Sequence, residues 1–132
     1  MILMHKKVLT LICVVLCALV ISACGSDATT HQTVSAAQAR EMMHSGEAYV
    51  LLDVRTAQEH AQQRIEGAVL IPYDELRQRA PAELTDMGVR ILIFCRTGRR
   101  SEIAANTLAA MGYARVYDFG GIVDWPFETV GE

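Results

Sequence analysis

Beyond Lys7 the chain contains no lysine. Every later basic side chain is one of ten arginines, set against fifteen aspartates and glutamates, a formal charge of −5 for that stretch. An acidic domain without an extended basic face does not suit nucleic acid, which needs many phosphate contacts. Cysteine is equally scarce. Cys13, Cys17 and Cys24 lie in the first 24 residues, and only Cys95 follows. One thiol excludes an intramolecular disulfide framework in the body of the chain. The four histidines, His5, His31, His44 and His60, show no ligand spacing. With a single cysteine they offer no metal cage. No glycine-rich dinucleotide or nucleotide motif is present, so no cofactor is expected. At 132 residues the length fits one domain with an appendage.

The appendage is the amino end. Lys6 and Lys7 precede an apolar run from Val8 to Val20, which is too short and wrongly flanked for a membrane span. The run closes on Ile21-Ser22-Ala23-Cys24-Gly25. This segment resembles a bacterial lipoprotein signal, with small residues before a cysteine that is acylated and becomes the new amino terminus. A plain secretory signal cleaved near Ala23 and an uncleaved anchor are the alternatives. The lipoprotein reading is favoured because Cys24 sits where apolar residues give way to polar ones. It implies a signal peptide over 1–23, an acylated Cys24 with a tether over 24–33, and a domain over 34–132. It also implies an exported domain held to a membrane by its lipid. With Gly25 rather than Asp after the cysteine, that membrane in a Gram-negative cell is the outer one, and the domain faces the periplasm.

Local patterns divide the domain into alternating elements. Ser35 and Gln38 form a capping box, predicting a helix that runs to about His44 and stops at Ser45-Gly46. Tyr49 to Val54 is a continuous apolar run of strand length, as expected of a strand buried on both faces. Thr56 begins a second capped helix that ends before Ile65. Ala68 to Ile71 predicts a short strand closed by Pro72, and Asp74 to Arg79 a helical turn or short helix. Arg90 to Phe94 predicts another buried strand. A helix from about Arg99 to Met111 follows, with Gly112 in the C′ position. Ala114 to Tyr117 predicts a further strand, and Gly120-Gly121 a turn leading to Trp125-Pro126. The alternation implies an α/β fold, a mostly parallel sheet with helices on both faces. Ligands in such sheets collect at the carboxyl ends of strands, where Asp53 and Cys95 both fall.

The segment Ile91-Leu92-Ile93-Phe94-Cys95-Arg96-Thr97-Gly98-Arg99-Arg100-Ser101 carries the chemistry. A strand delivers Cys95 into a tight arginine-rich turn, and a helix follows at once. Amides at a helix start and nearby guanidinium groups stabilise a thiolate and lower a thiol's pKa. The same groups cradle an anionic substrate. A buried, inert cysteine is the bland alternative.

Four segments together resemble a single-domain rhodanese, a sulfurtransferase module. They are Leu51-Leu52-Asp53-Val54-Arg55 with Glu59-His60, Ile65-Glu66-Gly67-Ala68-Val69-Leu70-Ile71-Pro72, the loop Cys95 to Ser101, and Gly120-Gly121-Ile122 with Trp125. Gln63-Arg64 and Glu66 depart from the family's usual Gly-His and Pro, and the chain is short after Trp125. The resemblance implies Cys95 as nucleophile and sulfur carrier, forming a persulfide by ping-pong catalysis. Its partners would be a small anionic sulfur donor such as thiosulfate and a thiol or cyanide acceptor, with the protein a monomer. Backbone amides of Arg96, Thr97, Gly98, Arg99, Arg100 and Ser101 would hold the sulfur. Arg96 and Arg100 are the expected donors to a sulfonate, with Arg99 second, since a guanidinium fork matches oxyanions. Asp53 and Arg55 are either rim groups that meet substrate or, as favoured, a structural pair bracing the strand end with Glu59. Trp125 is expected to anchor the core.

Two other functions compete for the loop. Cysteine phosphatases place an arginine six residues after the cysteine, where this chain has Ser101, and Phe94 stands where they carry histidine. A non-enzymatic persulfide or polysulfide carrier, or a redox sensor acting through Cys95, fits the residues as well.

Overall fold

The computed structural model describes residues 3–4 and 30–132. Cys24, the apolar run and most of the expected tether lie outside the described residues. Over the described residues 30–132, nine strands and helices follow in chain order: β1 (Gln32–Thr33), α1 (Ala36–His44), β2 (Tyr49–Asp53), α2 (Ala57–Gln62), β3 (Val69–Leu70), α3 (Leu76–Glu83), β4 (Arg90–Cys95), α4 (Arg99–Ala110) and β5 (Val116–Gly121). A short 3₁₀ turn over Ile122–Asp124 succeeds β5. The strands form one sheet in the order β1-β5-β4-β2-β3, and every pairing is parallel.

Alternation along the strands sorts the core into two layers. Leu52, Val54, Ile91, Ile93, Cys95 and Val116 point to one face, where α3 and α4 cover them. Leu51, Leu92, Phe94 and Phe119 point to the other, against α1 and the segment around Trp125. A strand sandwiched this way has no polar face, which is why β2 and β4 read as unbroken apolar runs. All six residues of β4 are buried, so its carboxyl end delivers Cys95 from the middle of the sheet.

The helix starts are locally encoded. Ser35 Oγ accepts from the Gln38 amide at 3.1 Å, and Gln38 Oε1 accepts from the Ser35 amide at 2.8 Å. Thr56 and Glu59 repeat the box at the start of α2, with distances of 3.2 and 3.0 Å. Each box satisfies two amides that a helix start otherwise leaves unpaired.

Three elements differ from the sequence expectation. Gln32 and Thr33, read as tether, form the edge strand beside β5. The last strand begins two residues later than expected and takes in Gly120-Gly121, because Cys95 pairs with Gly121 after a register shift. The third helix runs past Arg79 to Glu83 and through Pro81. Buried Leu76, Ala80 and Leu84 recur every four residues on its inner side, and that packing outweighs the proline.

On the α1 face Phe94, Phe119, Trp125 and Phe127 form a ladder with ring centroids 5.5, 5.3 and 4.9 Å apart. Trp125 is its hinge and is buried as expected of a core anchor. Replacing Trp125 with alanine is expected to lower unfolding free energy by about 3 kcal/mol. Urea denaturation checks this, and a loss under about 1 kcal/mol would contradict the anchoring role.

Candidate active site

The site assembles on the carboxyl rim of the sheet. Cys95 ends β4, and α4 starts four residues later, so the chain must reverse within Arg96-Thr97-Gly98. Gly98 makes the reversal possible. Its φ is +106°, a left-handed conformation that side chains disfavour. The reversal brings the Gly98 N–H onto Cys95 Sγ at 3.0 Å.

Two opposed forces act on the thiol. Burial pushes its pKa up, since Cys95 has no exposed surface. Hydrogen bonds from the Ser101 amide and hydroxyl and from the Gly98 and Thr97 amides push it down, and together they prevail. The net shift is downward from the ordinary thiol value, in favour of thiolate. Of these groups the Gly98 amide makes the direct contact. Ser101 is fully buried, and its hydroxyl also reaches the carbonyls of Gly98 at 2.9 Å and Gly120 at 3.3 Å. One hydroxyl proton serves one acceptor at a time. The Cys95 thiolate therefore competes with these carbonyls for it.

Arg100 does not stand free. Glu59 holds both its terminal nitrogens, at 2.8 and 2.7 Å. Hydrogen bonding to Arg100 lowers the Glu59 carboxyl from 4.5 to about 2, so the pair stays charged through the neutral range. Glu59 raises the Arg100 pKa first and most, and the charges of Cys95 and Asp53 add to it. Arg100 thus supplies fixed positive potential near the sulfur, while its fork is taken up by Glu59.

Asp53 and Arg55 form the buried brace favoured by the sequence, with a different third member. Arg55 Nε and Nη2 donate to Asp53 at 2.9 and 2.7 Å, and Nη2 also donates to the Gln63 carbonyl at 2.6 Å. His60 Nδ1, rather than Glu59, completes the group at 2.9 Å from Asp53 Oδ2. The Arg55 guanidinium lies over the Phe94 ring, 5.4 Å from its centroid, with 3% of the residue exposed. It is committed to the strand end and turned from solvent.

Arg96, Thr97 and Arg99 are the exposed members of the loop. Neither Arg96 nor Arg99 is in an ion pair among the described residues, unlike Arg55, Arg79, Arg90, Arg100 and Arg115. Glu66, at a position where the sequence departs from the rhodanese pattern, lines a surface pocket with Arg40, Ile65, Pro126, Phe127 and Glu128. No residue of the cysteine loop enters that pocket. Among the described residues no three His, Cys, Asp or Glu side chains are grouped to hold a metal ion.

Comparison with known proteins decides the family. The rhodanese-like domain profile matches residues 35–126, from the first helix cap to the turn after Trp125. The chain belongs to the rhodanese-like domain family. It is 33% identical over 73 residues to thiosulfate sulfurtransferase PspE of Escherichia coli, covering 55% of this chain and 70% of that protein. Identity is 38% over 77 residues to a sulfurtransferase of Allochromatium vinosum, covering 58% and 70%. A solved structure described as rhodanese with anions from E. coli superimposes with a TM-score of 0.60 at 30% identity, over 64% of this chain and all of that one. Sulfur-transfer chemistry of the rhodanese class is therefore the general activity of the chain.

The sequence named Cys95, its loop, Asp53, Arg55 and Glu59, and the structure brings all of them to one rim. It missed His60 as a partner of Asp53 and Glu59 as the clamp on Arg100. A carboxylate in the first turn of α2 was the available signal for the clamp. Glu59→Gln should cost about 1–3 kcal/mol at neutral pH by removing a charge-assisted pair. A carboxyl depressed from 4.5 to about 2 contributes fully above 4.5 and loses that contribution as pH falls toward 2. The stability gap between wild type and Glu59→Gln should therefore close between those values. Denaturation across acid pH measures it, and a gap that persists at pH 2 would contradict the assignment.

Proposed function

We propose that this rhodanese domain is a sulfurtransferase working through a Cys95 persulfide. The thiolate attacks the outer sulfur of a donor such as thiosulfate. The donor's sulfur–sulfur bond breaks, sulfite leaves with the electron pair, and Cys95 retains the sulfane sulfur. A thiol or cyanide then attacks that terminal sulfur, and the electron pair of the broken bond returns to Cys95 as thiolate. One observation carries the reading: a buried cysteine at a strand end with the Gly98 amide at 3.0 Å and its pKa turned downward. Loop amides that hold a thiolate can equally hold the anionic outer sulfur of a persulfide.

Arg96 and Arg99 are the guanidinium groups left to meet the anionic part of the donor, since Arg100 and Arg55 are engaged by carboxylates. The donor is accordingly a small anion, and the two exposed arginines orient its oxyanion end. The apolar run from Val8 to Val20 and the small residues before Cys24 support an exported protein, lipid-anchored through Cys24 in the cell envelope.

Intact mass after incubation with thiosulfate tests the first half-reaction, with Cys95→Ser as control. The expected result is one added sulfur on wild type, removed by cyanide or thiol and absent in the control. Uptake from polysulfide but not from thiosulfate would favour a carrier over a thiosulfate-using catalyst. No adduct from either donor would sink the sulfurtransferase reading.

A further inference from the structure

Two adjacent glycines end β5, and they are glycine for different reasons. Gly120 has φ +88°, while a Cβ built on it meets nothing within 4 Å. Backbone conformation alone accounts for it. Gly121 is the reverse. Its φ of −110° is open to any residue, yet a Cβ there would run into the Arg96 carbonyl oxygen and come to 2.7 Å from Thr97 Cα. What excludes a side chain at Gly121 is the cysteine loop, whose Arg96–Thr97 peptide rests directly on it.

The chain after that glycine also fixes the peptide's rotation. Val123, in the 3₁₀ turn, donates its N–H to the Arg96 carbonyl at 3.3 Å. In a trans peptide the C=O and the following N–H point in opposite directions. Holding the Arg96 oxygen toward Val123 therefore turns the Thr97 N–H away from Val123, and Thr97 is one of the amides that act on Cys95. Nearby, Gly120 presents its carbonyl to the Ser101 hydroxyl, and the Gly120 amide is itself held by Asp118 Oδ1 at 2.9 Å.

We propose that Gly121 and the Val123 N–H form a seat that positions the Arg96–Thr97 peptide so that the loop's amides converge on the Cys95 sulfur. Both act through the loop and are positioning residues. The proposal rests on Cys95 being the reactive sulfur. It adds that the end of β5, more than twenty residues away in sequence, sets how reactive that sulfur is.

The test is the pH profile of Cys95 alkylation by iodoacetamide in the full chain, followed on the tryptic peptide Ile91–Arg96. In Gly121→Ala the reactive midpoint should rise by about one pH unit, a roughly tenfold loss of thiolate below the midpoint. Gly46→Ala is the control. Gly46 has φ +82° and open surroundings, and it precedes β2 at the opposite end of the sheet. That substitution strains the backbone without touching the loop, so it should lower thermal stability and leave the midpoint unchanged. A folded Gly121→Ala with the wild-type midpoint, or an equal rise in Gly46→Ala, would overturn the proposal. If Gly121→Ala fails to fold, replacing the Val123 N–H with an ester oxygen removes the donor at constant shape. It should raise the midpoint, and no change would overturn the proposal. A wild-type midpoint at the ordinary thiol value would instead overturn the reactive-sulfur reading itself.

Discussion

The structure depends on a balance at one atom. Cys95 Sγ is buried at the end of a central strand, where desolvation alone would keep it a neutral, inert thiol. Hydrogen bonds from Ser101, Gly98 and Thr97 reverse that outcome. Those donors converge because a left-handed Gly98 turns the strand into a helix within three residues, so the loop amides of Thr97 and Gly98 and the Ser101 amide in the first turn of α4 bear on the sulfur. Removing water and supplying fixed donors in its place is what an anionic nucleophile needs. The donors are backbone, so their aim is set by the path of the chain.

The rest of the fold serves to hold that path. β4 lies between β5 and β2, which fixes the cysteine's height at the rim. On the β2 side, Asp53 clamps Arg55 and His60, and Glu59 reaches across to Arg100. These pairs let an acidic domain keep positive potential beside the sulfur without leaving every guanidinium open to solvent. On the β5 side the loop sits on Gly121, while the aromatic ladder through Phe119 and Trp125 anchors the same segment to the opposite face. The electrostatic and steric supports of the loop thus come from different neighbouring strands.

What was legible in the sequence were the signals that act locally. Two capping boxes announced α1 and α2, the unbroken apolar runs announced β2 and β4, and the cysteine loop announced the site. Contacts between distant segments were not legible. Nothing near Arg100 says that its partner is Glu59, 41 residues earlier. Two-residue β1 is too short to show any periodicity and exists only because β5 offers it an edge. Asp74 to Arg79 read as a helical turn or short helix, yet the buried stripe of α3 carries it on through Pro81 to Glu83. Gly120 and Gly121 look alike as letters, and only the fold separates a glycine required by φ from one required by space.

The loop's donors outweigh burial and favour the Cys95 thiolate, the form that accepts sulfur. The most direct measurement is the NMR shift of the Cys95 side-chain carbon across pH in cysteine-labelled wild type, with Cys95→Ser to assign the signal. The expected midpoint lies clearly below the ordinary thiol value of about 8.5. A midpoint at or above that value would mean that burial wins over the loop's donors, and the loop would not be a thiolate cradle.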